Sequence, residues 1–214
     1  MSTSIIAGST GLVGNNILNQ LCENNHNVVA ICRKPISGLP SKATELIIDF
    51  ESFLIEGTLP ACDHVFLCLG TTMKIAGNKD NFRRVDFDYS FGIAKKALES
   101  GAKKLTLISS GGADSSSKNF YLRVKGELED AIIDLGFESV NIFRPGFLTG
   151  VGGRKRAMSE KIFMKLAKLL DLILVGSASK YRSINAEVLA KKMVSTLDSD
   201  PGINYYYYKD FIKP

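Results

Sequence analysis

Two side chains able to move a proton stand four residues apart in this sequence, Tyr121 and Lys125. On a helix that spacing puts both on one face. An ammonium beside a phenol favours the phenolate and lowers a pKa that starts near ~10. Such a tyrosine can protonate a carbonyl oxygen as hydride reaches the carbon, or act in reverse. The lysine can also bind ribose hydroxyls. Tyr205/Lys209 shares the spacing, so spacing alone selects nothing. Position does: Tyr121 opens a helix that follows an apolar run ending in Ser109-Ser110-Gly111-Gly112. A Ser110 hydroxyl at that strand end can reach the oxygen that the tyrosine serves. Tyr121, Lys125 and Ser110 are the candidate catalytic residues.

A second set is built to hold phosphate. The first apolar run leads into Gly8-Ser9-Thr10-Gly11-Leu12-Val13-Gly14, and a helical pattern follows. The first glycine allows a tight turn, the second lets backbone N–H groups approach a pyrophosphate, and the third lets helix pack on strand. The helix N-terminus then faces the phosphates with its partial positive charge. The end of the next apolar run, Ile31-Cys32-Arg33-Lys34, lacks the Asp or Glu that an NAD site usually puts there. Arg33 and Lys34 suit a ribose 2′-phosphate instead, so the expected cofactor is NADP(H). Asp49-Phe50 is expected to cover the adenine edge.

Two other groupings are read as structural. Cys62, His64 and Cys68 lie close together, but a fourth metal ligand is missing and the segment reads as a buried strand, so no metal is expected. Arg154-Lys155-Arg156 with Lys161, Lys165 and Lys168 alternates with apolar residues at helical spacing. That is expected to be an amphipathic helix, residues 159–170, with a solvated face rather than a membrane or nucleic-acid surface.

These residues need elements to position them. Nearly continuous Val, Ile, Leu and Phe predict strands at Ser4–Ala7, Val28–Cys32, Glu45–Asp49, His64–Leu69, Lys104–Ser109 and Ser139–Phe143. Helices are expected at Leu12–Asn24, Asn81–Ser100 and Phe120–Leu135, with Gly101 and Gly136 as stop signals. Strands alternating with helices imply right-handed crossovers and an α/β doubly wound parallel sheet. Past Phe143 the pattern loosens. Residues 144–214 are expected to form a smaller substrate lobe over the sheet's carboxyl edge within one domain, with a helix at Ala186–Leu197 and an edge strand at Tyr205–Tyr208.

Composition agrees with one folded domain. The chain has 214 residues, 45% of them hydrophobic and 23% charged, enough to bury roughly 70% of the unfolded surface in a single core. The net charge of +5 fits an anionic ligand of several kinds. The four cysteines form no dense framework, and only three apolar residues separate Ser4 from Gly8, too few for a secretory leader. These signs point to a cytoplasmic protein with free thiols and without membrane insertion.

The Gly8–Gly14 loop, Ser110 and Tyr121/Lys125 together resemble the atypical short-chain dehydrogenase/reductases. Closer similarity, to the Tat-interacting oxidoreductase family, is carried by Cys68-Leu69-Gly70-Thr71-Thr72, Arg84-Val85-Asp86, Ser109-Ser110 with Gly112-Ala113-Asp114, Tyr121-Leu122, Val124-Lys125-Gly126-Glu127 and Phe143-Arg144-Pro145-Gly146. The resemblance implies an NADPH-binding Rossmann fold with Tyr121 as proton donor and acceptor. It also implies cofactor contacts from Ser9, Arg33, Lys34, Leu69, Gly70, Lys125, Leu148 and Arg156. The family usually has two arginines where this chain has Arg33-Lys34, and lysine lacks the planar fork. The expected function is reduction of a small-molecule carbonyl, as a monomer or homodimer and without nucleic acid. The alternative is a non-catalytic NADP(H) sensor acting through a protein partner. A nucleotide-sugar epimerase would share the loop and the pair, but would hold NAD.

Overall fold

The computed structural model describes residues 2–150 and 181–213. Its centre is a seven-stranded sheet built from β1 (Thr3–Ala7), β2 (Asn27–Cys32), β3 (Ala43–Ile47), β4 (His64–Leu67), β5 (Lys104–Ile108), β6 (Ser139–Phe143) and β9 (Gly202–Tyr206). The strand order is β3-β2-β1-β4-β5-β6-β9, and every pairing is parallel. Two-residue strands β7 (Leu148–Thr149) and β8 (Ile184–Asn185) pair separately. This is the doubly wound Rossmann arrangement. The order reverses between β1 and β4, which opens a crevice at their carboxyl ends.

The strands are legible as apolar runs because both faces are covered. On one face Ile5, Val65, Leu105 and Val140 pack with Phe50, Phe53, Ile93, Ala97, Leu128 and Ile132. Those side chains come from α2 (Phe50–Glu56), α5 (Tyr89–Glu99) and α6 (Phe120–Ile133). On the other face Ile6, Phe66 and Phe143 pack with Val13, Ile17, Leu18, Leu21, Leu189 and Met193. Those come from α1 (Leu12–Glu23) and α7 (Ala186–Val194).

Several expectations are corrected. Strand β3 starts and ends two residues early, because the Asp49 carboxylate accepts from Ser52 N and starts α2. The helix expected over residues 81–100 is three pieces: α4 (Lys79–Arg83), a π-helical turn at Arg84–Asp88, and α5. A short α3 (Met73–Ala76) precedes them. Part of the expected lobe belongs to the main layers, because α7 shares the α1 core and β9 extends the sheet beside β6. Strand β9 lies at Gly202–Tyr206, and Tyr208 begins α8 (Tyr208–Phe211), whose start is held by Tyr207 N donating to the Asp210 carboxylate at 2.9 Å. A 3-10 turn at Ser195–Asp198 replaces the end of the expected helix 186–197. The basic helix expected at 159–170 lies outside the described residues.

Candidate active site

The loop after β1 is pressed against β4. Gly8 has φ +88°, and a Cβ there would lie 2.5 Å from the Cys68 carbonyl oxygen. A Cβ on Gly14 would collide with the Gly8 carbonyl. Only glycine therefore allows this close turn under a helix. Gly11 is the N-cap of α1, with no side-chain cap and no acidic residue in the first turn. The helix N–H groups are thus left to an external acceptor.

The loop's side chains mostly face inward. Ser9 is buried and its hydroxyl donates to the Ile31 carbonyl at 3.3 Å. Val13 is core, Leu12 packs against the core, and Thr10 is exposed. What residues 9–13 offer outward is mainly backbone. Arg33 and Lys34 are exposed just beyond β2. Leu69 is half-buried, Gly70 is exposed at the end of the β4 crevice, and Leu148 is half-buried in β7. Arg156 lies outside the described residues. Of the two residues expected at the adenine edge, Phe50 is buried and stacks on Tyr89 at 4.7 Å. Asp49 is exposed, but its carboxylate is engaged by Ser52 N at 3.0 Å and Ser52 Oγ at 3.1 Å.

The proton-transfer candidates come from α6 and the turn after β5. Asn119 caps α6 by accepting from Tyr121 N at 3.0 Å and Leu122 N at 3.3 Å. This seats Tyr121 in the first helical turn, 38% exposed, with its ring edge-on to Phe82 at 5.8 Å. The turn bearing Ser110 is held from both sides. Gly111 N donates to the Pro145 carbonyl at 2.7 Å, and Asp114 N to the Leu122 carbonyl at 3.1 Å. A Cβ on Gly126 would strike the Asp114–Ser115 backbone, so α6 lies directly on that turn. Ser110 itself is half-buried. Ser109 is buried, and its Oγ has no hydrogen-bond partner among the described residues.

Lys125 is buried and pairs with the buried Asp86, Nζ to Oδ1 at 2.8 Å. Burial opposes its charge, but Asp86, with Tyr121 and Glu129 adding to it, outweighs that cost and holds the ammonium above its ordinary range. Sequence reasoning gave Asp86 no role. A signal was present: Phe82, Asp86, Ser90, Ile93 and Ala97 form one buried stripe, and Asp86 is its only acid. Cys62, Cys68 and His64 do not assemble a metal site, and no such cluster occurs among the described residues. The His64 Nε2 instead meets Thr106 Oγ1 at 2.8 Å.

Residues 8–162 match the NAD(P)H-binding family. The chain is 33% identical over 205 residues to the mitochondrial protein FMP52 of Debaryomyces hansenii, covering 93% of this chain and 88% of that protein. It is 37% identical over 151 residues to HTATIP2 of Rattus norvegicus, covering 67% of this chain and 61% of that protein. A solved structure of the human epimerase family protein SDR39U1 with NADPH superposes with a TM-score of 0.67 and 16% identity, over 96% of this chain and 74% of that one. That likeness speaks for the fold. Further fungal relatives bear the same mitochondrial name, which overturns the expectation of a cytoplasmic protein. Free thiols speak against an oxidising compartment and do not say which reducing compartment holds a chain. With its glycine loop, its parallel sheet and these relatives, the chain belongs to the NAD(P)H-binding family, in the group that includes FMP52 and HTATIP2.

Proposed function

We propose that the protein is an NADPH-dependent oxidoreductase that reduces a small-molecule carbonyl, with Tyr121 as the proton donor. The observation that carries this reading is the buried Lys125 ammonium, kept charged by Asp86 one helical turn from an exposed tyrosine. The residues present fit a phosphorylated dinucleotide. Gly8 and Gly14 have no room for a Cβ, α1 begins without a side-chain cap, and two cations stand exposed beyond β2. Backbone N–H groups at the start of α1 would hold the pyrophosphate, and Arg33 and Lys34 the 2′-phosphate. When bound, NADPH supplies the hydride.

The chain's own residues do the rest. Tyr121 gives its phenolic proton to the carbonyl oxygen. Ser110 donates a hydrogen bond to the same oxygen and orients it. Lys125 presents positive charge to the tyrosine and N–H donors to the ribose. The names of the fungal relatives support a mitochondrial setting for this chemistry.

The test pairs binding with turnover. Thermal-shift titration should show stabilisation by NADPH and NADP that exceeds that by NADH and NAD. Tyr121→Phe should bind NADPH as before and lose turnover by about 100-fold or more on a panel of carbonyl compounds. A shift with NADH alone would sink the cofactor assignment. Unchanged turnover in Tyr121→Phe would sink the mechanism.

A further inference from the structure

The reaction as described uses one oxygen of the buried Asp86 carboxylate, as counter-charge to Lys125. Asp86 is 1% exposed and sits in the π-helical turn Arg84–Asp88. Its two oxygens go to two different places. Oδ1 takes the Lys125 ammonium at 2.8 Å, and Oδ2 accepts from Thr71 N at 2.8 Å. A Cβ on Gly70 would lie 3.6 Å from Oδ1, so the loop after β4 runs past this carboxylate in van der Waals contact. A single side chain thus ties the candidate proton-transfer helix to the loop at the crevice.

Stability is a poor explanation for this pair. Burying two charges costs several kcal/mol per ion before their attraction is counted, and apolar residues of similar volume commonly hold helices together as well. What an ion pair supplies is a fixed charge at a fixed point. The wider turn at Arg84–Asp88 places Asp86 between α6 and the loop, and such turns recur at functional positions. Lys125 has three donors, and the pair with Asp86 uses one. Two are left for neighbouring acceptors, the number that a ribose diol presents.

We propose that Asp86 is a positioning residue, which holds the Lys125 ammonium charged and registered against the Gly70–Thr71 loop so that it binds the ribose hydroxyls of the dinucleotide. This rests on the cofactor reading above. The charged and titratable groups around Lys125 are Asp86 from the π turn, with Tyr121 and Glu129 from its own helix. Glu129 is already engaged by Arg144. Asp86 is therefore the counter-charge that keeps Lys125 protonated.

The test is equilibrium binding of NADPH to the full chain, followed by fluorescence between about pH 7.5 and 9.5, where the cofactor's own phosphate has finished titrating. Asp86→Asn preserves an acceptor for Thr71 N but removes the charge. It should bind NADPH about tenfold more weakly at the low end of the range. Its affinity should fall further as pH rises, because an unpaired buried ammonium gives up its proton more easily. Lys125→Met should be weak at every pH, and Asp86→Asn/Lys125→Met no weaker than Lys125→Met. An Asp86→Asn affinity within about twofold of the unaltered protein overturns the proposal. So does an equal further loss in the Lys125→Met background, which would mean that Asp86 acts through the loop alone. If Asp86→Asn does not fold, Asp86→Glu takes its place: the charge is kept but displaced, so weakening without the pH slope is expected, and unchanged affinity overturns the idea. A wild-type chain that fails to bind NADPH at all is a separate result, which removes the cofactor reading itself.

Discussion

At the scale of single residues, the candidate site divides into side chains that face a ligand and side chains that build the surface for it. Ser9 and Val13 belong to the second kind, since both are buried. Arg33 and Lys34 belong to the first, being exposed beyond the end of β2. Arg33 can form a forked pair with a phosphate, which a lysine cannot. Arg33→Ala should therefore weaken NADPH binding by about tenfold while leaving NADH binding nearly as it was. Calorimetric titration of both cofactors checks this, and an equal loss for both would place Arg33 on the shared part of the dinucleotide. The sequence made these two cations visible by the missing carboxylate. It gave Asp86 no such visibility, because an acid on a helix is ordinarily a solvated one, and only the buried stripe through Phe82, Ser90 and Ile93 marks it as turned inward.

At the scale of elements, α6 carries most of the chemistry and is fixed at both ends. Asn119 caps its start, and Gly126 lets its middle lie on the 113–115 turn. Its far half is anchored by Glu129, buried to 1%, which pairs with Arg144 at the end of β6. Arg144 Nε lies 3.1 Å from both Glu129 oxygens, and the guanidinium also donates to Tyr207 Oη at 3.3 Å and covers the Tyr205 ring at 4.7 Å. Removing one partner strands the other as an uncompensated charge. Arg144→Met should cost about 3–5 kcal/mol, and Glu129→Leu/Arg144→Met should recover most of it. Urea denaturation of the single and double variants measures both. The strand elements were legible because burial on two faces leaves short, nearly continuous apolar runs, as in β1 and β4. The edge strand β3 was misplaced because only Ala43 in it is buried, so its pattern carries little information. The break of the expected helix 81–100 at Arg84–Asp88 had no local signal, since neither Gly nor Pro marks it.

For the whole molecule, a line of hydrogen bonds crosses the sheet from β4 to the 3-10 turn at Ser195–Asp198. Thr196 Oγ1 donates to the Met193 carbonyl at 2.6 Å, so Thr106 must be the donor to Thr196 at 2.7 Å. Thr106 then accepts from His64, which fixes the proton on Nε2. His64 is wholly buried; burial, with Lys104 adding to it, pushes its pKa down to about 3. As pH falls below the usual histidine value of about 6.5, the unfolded chain takes up a proton that the folded chain refuses. Stability is therefore lost as pH drops from there towards 3, by about 2 kcal/mol between roughly pH 7 and 5 from this group alone. His64→Asn should flatten that part of the curve, and urea midpoints at the two pH values measure it. The compartment of the protein, unlike its fold, had no physical imprint on the residues that were read. The cytoplasmic expectation is overturned by the names the fungal relatives carry.

The position of β9 also bears on how the sheet is completed. It pairs with β6 across a long stretch of intervening chain, and among the described strands it leaves the ribosome last. Until then β6, buried along its whole length in the finished fold, offers an open row of backbone donors and acceptors. Synthesis thus passes through an interval in which the sheet's adhesive border is a strand made for the interior, until the more exposed β9 takes that border over.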